Sequence, residues 1–151
     1  MQFRKGDLTE AAENVIVHGC NNRGVMGSGV ALAIRKKWPE AYEAYRTAFE
    51  DKSDYNLLGN WTYLQNLDDN KFIVNLITQD GYGKDGKKYA YYISIVEGLI
   101  DIANWQRYFS NNKIAIPKIG CGLGGLDWNI MEVLLCEIEE RYKVEFIVYE
   151  L

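Results

Sequence analysis

Short apolar runs alternate along this chain with longer stretches in which apolar side chains recur every three or four residues. The runs lie at about 1–5, 14–20, 60–66, 71–78, 113–119 and 144–150 and are rich in β-branched or aromatic residues, which predicts six strands. Four of them carry continuous apolar cores: Val15-Ile16-Val17, Phe72-Ile73-Val74, Ile114-Ala115-Ile116 and Phe146-Ile147-Val148. Strands covered on both faces read this way, so helices are expected on each side of the sheet. Helical periodicity appears over 28–38 (Val30, Ala31, Ile34, Trp38), 40–50 (Ala41, Tyr42, Tyr45, Phe49), 90–109 (Tyr92, Val96, Leu99, Ala103) and 128–142 (Ile130, Val133, Leu134, Ile138). Pro39 separates the first two helices. The runs before and after Asp68-Asp69-Asn70 form a hairpin, which makes the sheet mixed. The expected fold class is α/β, a three-layer α/β/α domain with a mixed central sheet over residues 1–151.

Composition narrows the function. No apolar run approaches the roughly 18 residues of a membrane span, and the charged start at Arg4, Lys5 and Asp7 does not suit a signal peptide. The three cysteines form no CxxC pair, as expected of reduced thiols in a cytoplasmic protein. Seventeen basic against 21 acidic residues give a net charge of −4, with the signs interspersed. Direct nucleic-acid binding through a basic stripe is therefore not expected. An anionic ligand would have to be held by backbone amides in a local pocket. One histidine and scattered cysteines make no metal site, and neither a metal nor a cofactor is expected.

Two segments suit such a pocket. From Val15 the first apolar core runs through His18, Gly19, Cys20, Asn21 and Asn22 into a loop with Gly24, Met26, Gly27, Ser28 and Gly29, and a helix opens near Val30. The second runs from Ile114 through Ile119, Gly120, Cys121, Gly122, Leu123, Gly124 and Gly125 to Asp127, a candidate helix cap. Ligands bind at the carboxyl ends of strands in open α/β sheets, and first-turn amides attract phosphate. Either loop alone could equally be a tight turn. Neither a P-loop lysine nor GxGxxG spacing is present in the first. Two such loops in one small sheet could clamp a diphosphate from both sides.

Both segments, with Gly6-Asp7-Leu8 after the first strand, resemble the macrodomain family over essentially the whole chain. The run from Pro117 to Trp128 and the stretch Asn21–Ala31 followed by Trp38-Pro39-Glu40-Ala41-Tyr42 resemble one branch in particular. That branch contains small ADP-ribose-1''-phosphate phosphatases, the terminal ADP-ribose protein glycohydrolase and DNA-ADP-ribose antitoxin macrodomains. The resemblance implies that Asp7, followed by Leu8, accepts a hydrogen bond from the adenine amino group. It places Gly27, Ser28 and Gly29 in the first phosphate loop and Gly120 to Gly125 in the diphosphate loop. Gly19, Asn22, Met26, Val30, Thr78 and Ile119 join the binding set, and Tyr82 lies over the distal ribose. The expected partner is ADP-ribose or its phosphorylated derivative, bound by a monomer.

Most macrodomains have asparagine where this chain has His18; histidine there resembles the phosphatases and the terminal glycohydrolase. A lysine directly follows the threonine in the glycohydrolase and the antitoxins, where this chain has Gln79. The glycohydrolase also has an aspartate where this chain has Gly124. Lys84 and Asp127 lie nearby in sequence but carry no matching signal. The resemblance thus implies a phosphatase acting on ADP-ribose-1''-phosphate, with His18, Asp80 and Asn21 as its catalytic set. The alternatives are removal of ADP-ribosyl or acetyl adducts and a non-catalytic ADP-ribose reader.

Overall fold

Among the described residues, six strands and four helices form where the two periodicities place them. The computed structural model describes residues 1–48, 57–108 and 111–151. The strands are β1 (Gln2–Lys5), β2 (Val15–Asn21), β3 (Trp61–Asn66), β4 (Lys71–Gln79), β5 (Lys113–Ile116) and β6 (Glu145–Glu150). The helices are α1 (Gly29–Lys37), α2 (Pro39–Thr47), α3 (Tyr92–Gln106) and α4 (Trp128–Tyr142). Pro39 divides α1 from α2, because a proline biases the residue before it toward extended backbone, and Trp38 has φ −127° and ψ 80°. Asp127 caps α4 by accepting from the Asn129 amide at 2.9 Å. Pro117 ends β5 at Ile116, three residues short of the expected run, since it offers no N–H to a neighbouring strand. A short 3₁₀ turn at Leu8–Glu10 was not legible in the periodicity. Phe49 and position 109, expected in helices, lie outside the described residues.

The strand order is β1-β6-β5-β2-β4-β3. Only β3 runs antiparallel, in the hairpin with β4; the other neighbours are parallel. Asn70 closes that hairpin at φ 55°, a left-handed conformation that asparagine tolerates. Alternation divides the sheet into two faces. Val15, Val17, Val74, Leu76, Ile114, Ile116, Phe146 and Val148 face α3 and α4, where they meet Ile95, Leu99, Met131 and Leu135. Ile16, Ile73 and Ala115 face α1 and α2, where they meet Ile34, Trp38 and Ala41. This is the expected α/β fold with helices on both faces of a mixed sheet. Each fully buried isoleucine or valine contributes about 1.5–3 kcal/mol of transfer free energy. Five parallel strands point their carboxyl ends at one edge, and the connections leaving that edge build the site.

Candidate functional site

A cleft of about 770 Å³ runs along that edge. It is lined in turn by residues at and beyond the ends of β1 (Asp7, Leu8), β6 (Glu150, Leu151), β5 (Pro117 to Gly124), β2 (Asn21, Val25, Gly27 to Ala31) and β4 (Thr78, Gln79, Tyr82 to Lys84). From β1 to β4 the strand order spans four spacings of about 4.8 Å, so the cleft is roughly 19 Å long. The two glycine loops occupy its middle, and Asp7 and Lys84 lie at opposite ends.

The first loop begins at a register shift. Cys20 pairs with Ile77 but Asn21 pairs with Gln79, so Thr78 is the extra residue of a bulge and is turned toward the cleft. Thr78 Oγ1 donates to the Cys20 carbonyl at 3.3 Å. A Cβ on Gly19 would stand 2.7 Å from that hydroxyl, so only glycine fits there. Asn21 organises the loop: its Oδ1 accepts from the Arg23 amide at 2.9 Å and its Nδ2 donates to the Val25 carbonyl at 2.8 Å. Buried Tyr45 of α2 staples the same turn, with its hydroxyl 2.7 Å from the Asn21 carbonyl oxygen and accepting from the Gly24 amide at 3.0 Å. Beyond it α1 opens with no side-chain cap on Ser28. The N–H groups of Gly29, Val30 and Ala31 have no partner among the described residues.

In the second loop the turns are closed by Cys121 N–H to the Lys118 carbonyl at 3.1 Å, Gly125 N–H to Gly122 at 3.1 Å and Leu126 N–H to Gly120 at 2.9 Å. The N–H groups of Gly120, Gly122, Leu123 and Gly124 are left without partners among the described residues. Successive free amides in a turn make a concavity for an anion. Gly120 has φ 76°, and a Cβ on it would press on Ile95 and Leu126 at 2.7 and 2.9 Å. Cys121 lines the cleft, but burial pushes its thiol up to about 11, so it is no thiolate nucleophile at neutral pH.

The two expected catalytic ionisable groups are not in the cleft. His18 has no exposed surface. The strand β2 continues three residues past it, so the ring lies roughly 10 Å short of the strand end. It shares the face of Ile16, pairs across the sheet with Asn75, and lies under α2. Asn75 Nδ2 donates to the Ala41 carbonyl at 3.0 Å, so its Oδ1 accepts from His18 Nε2 at 2.7 Å. Burial lowers the imidazole to about 4, partly offset by that bond, and the ring is neutral at pH 7. Asp80 turns away to an exposed ion pair with Arg23 at 3.0 Å. The catalytic assignments of His18 and Asp80 are corrected on these grounds; of that set only Asn21 reaches the cleft.

Three expected binding residues also lie outside it. Met26 is fully buried beside Cys20, Tyr45 and Ile77. Asn22 supports the neighbouring loop, its Oδ1 accepting from the Gly81 amide at 3.0 Å. Gly125 packs behind its loop, where a Cβ would stand 2.7 Å from the Lys87 carbonyl oxygen. Asp7, Leu8, Gly19, Gly27, Ser28, Gly29, Val30, Thr78, Tyr82, Ile119 and Gly120 to Gly124 do line the cleft. So do Gln79, Lys84, Lys118, Tyr149 and Glu150, which sequence reasoning had not assigned to it. Asp7 uses Oδ1 to accept from the Thr9 amide and hydroxyl at 2.9 and 2.8 Å, and its Oδ2 has no partner among the described residues. Among the described residues no cluster suits a metal ion, and no helix is long and apolar enough to cross a membrane.

The Macro domain family model matches residues 17–135. The chain is 32% identical over 150 residues to a DNA ADP-ribosyl glycohydrolase of Mycobacterium tuberculosis, covering 97% of this chain but 41% of that protein. It thus spans less than half the length of the glycohydrolase relatives. An ADP-ribose 1''-phosphate phosphatase of Scheffersomyces stipitis is 28% identical over 174 residues, covering 99% of this chain and 98% of that one. The macrodomain of Thermus aquaticus DarG superposes with a TM-score of 0.81 at 30% identity, covering 99% of this chain and 97% of that one.

Proposed function

Because the chain belongs to the macrodomain family, we propose that it binds ADP-ribose derivatives in this cleft and hydrolyses the phosphate monoester of ADP-ribose-1''-phosphate. The observation that carries the reading is the pair of unpartnered amide rows, Gly29 to Ala31 and Gly120 with Gly122 to Gly124, that line the middle of one cleft. Neutral donors of this kind hold a diphosphate without a basic patch, which suits a chain of net charge −4. The acceptor Oδ2 of Asp7 suits the adenine amino group at the β1 end. The distal ribose then lies at the β4 end, beside Asn21, Thr78 and Tyr82.

Hydrolysis requires water to attack phosphorus while the ribose O1'' leaves with a proton. Asn21 has a second Nδ2 hydrogen to offer and no proton to accept, so its part is to position water or a phosphoryl oxygen. The reaction then rests on orientation and on donors aimed at the phosphoryl oxygens, and not on an imidazole base. Two observations favour phosphate over adduct removal. The phosphatase relative matches along its full length, and Gln79 stands where the resemblance to the glycohydrolases calls for lysine. The test is incubation with ADP-ribose-1''-phosphate, with phosphate release well above background as the expected result. No phosphate, with ADP-ribose freed from modified DNA, would select the glycohydrolase reading. Binding with neither product would make the protein a reader.

The adenine end gives a separate prediction. In Asp7→Asn the new Oδ1 must still accept from Thr9, which forces the amide NH₂ into the position of the free oxygen. Two donors then face each other, and ADP-ribose affinity should fall by about 1–3 kcal/mol. Calorimetry giving wild-type affinity would remove Asp7 from the site.

A further inference from the structure

Lys84 follows Tyr82 and Gly83 in the connection from β4 to α3 and lines the cleft at its β4 end. Both neighbouring carboxylates are committed elsewhere. Asp80 holds Arg23 at 3.0 Å. Asp85 accepts from the Tyr89 hydroxyl at 2.9 Å and the Lys87 amide at 3.1 Å, with Lys87 Nζ at 3.9 Å. The Lys84 ammonium itself has no hydrogen-bond or ion-pair partner among the described residues. Lys118, the other ammonium on the cleft, is held by Glu150 at 3.1 Å.

The connection is braced at both ends. Asp80 N–H donates to the Tyr89 carbonyl at 3.0 Å, Tyr91 N–H to Thr78 at 3.1 Å, and Tyr89 N–H to Gly124 of the diphosphate loop at 2.8 Å. A Cβ on Gly83 would collide with the Tyr89 hydroxyl, so that ring packs directly on the backbone before Lys84. The cleft therefore carries neutral donors along its middle and, on a braced connection at its β4 rim, one ammonium without an acidic partner among the described residues. The diphosphate does not need that charge.

We infer that Lys84 is a specificity-determining binding residue, which selects ligands carrying an anionic group on the 1''-carbon over those ending in a neutral hydroxyl or acyl group. This rests on the placement of the distal ribose at the β4 end. An ammonium bound to phosphate is worth roughly a 10-fold or larger preference, diminishing with salt. The experiment compares, by calorimetry at low and high salt, ADP-ribose with an analogue bearing a non-hydrolysable 1''-methylenephosphonate. Wild type should prefer the phosphonate by roughly 10-fold or more. Lys84→Ala should lose that preference while keeping its affinity for plain ADP-ribose, and Lys84→Arg should retain it. A wild type without the preference, or a Lys84→Ala variant that keeps it, overturns the inference. A Lys84-dependent preference in a protein that releases no phosphate supports the binding role and defeats only the phosphatase reading.

Discussion

Gly122→Glu is expected to cut ADP-ribose affinity by roughly 10³ or more, through loss of charge-assisted amide bonds and added like-charge repulsion. The melting temperature should barely move. Gly122 is exposed, and a Cβ built on it meets nothing within 4 Å, so the side chain enters open space. Gly122 lines the cleft and lies in sequence between the free amides of Gly120 and Leu123. Gly124, two residues on, could not serve, because its Cβ would stand 2.6 Å from the Gly120 carbonyl oxygen and 3.0 Å from Ala90 Cβ. Substitution there would confound lost binding with a broken loop. Calorimetry and a melting curve on the Gly122 variant separate the two effects. Retained affinity in a folded protein would show that this loop does not hold the diphosphate.

His18 should matter to stability and not to turnover. His18→Ala leaves the buried Asn75 Oδ1 without its donor, a loss of about 1–3 kcal/mol before any cavity is counted. Phosphate release per folded molecule should stay at the wild-type rate, since the ring is outside the cleft. The same burial makes the wild type acid-sensitive. In the unfolded chain the imidazole takes up a proton near its ordinary 6.5; in the folded protein it does so only near about 4. Between those values the unfolded state binds more protons. The contribution is therefore present above pH 6.5 and is lost as the pH falls to about 4, about 3 kcal/mol in all. Urea unfolding of wild type and His18→Asn across this range checks it. The variant should lose stability less steeply with acid; equal slopes would show that His18 is not buried neutral. A well-folded His18→Ala protein without activity would restore the histidine to the mechanism.

The residues that mislead and those that inform differ in kind. The glycine loops were legible because their chemistry is local: a buried strand, consecutive glycines and a helix start are contiguous in sequence. His18 is a matter of face and register. Its side chain follows Ile16 onto the α2 side, and its partner Asn75 is 57 residues away. Continuous apolar runs such as Val15-Ile16-Val17 hide which face each residue takes. Asp80 was misplaced for a related reason, since Arg23 holds it across two loops. Tyr45 sat correctly in a helical stripe, but nothing in that stripe shows that its hydroxyl staples the first loop. Tyr149 and Glu150 join the wall because β6 inserts between β1 and β5. That is a property of strand order, which a single chain's periodicity does not carry.

Strand order also sets the direction in which a ligand should lie, and a crystal structure of the protein with ADP-ribose bound tests it most directly. The adenine should lie at Asp7 beside the end of β1. The diphosphate should sit between the amides of Gly29 to Ala31 and those of Gly120 to Gly124. The distal ribose should then place its 1''-carbon toward Thr78, Tyr82 and Lys84. A reversed ligand, or one bound outside this cleft, would contradict both the site and the chemistry built on it.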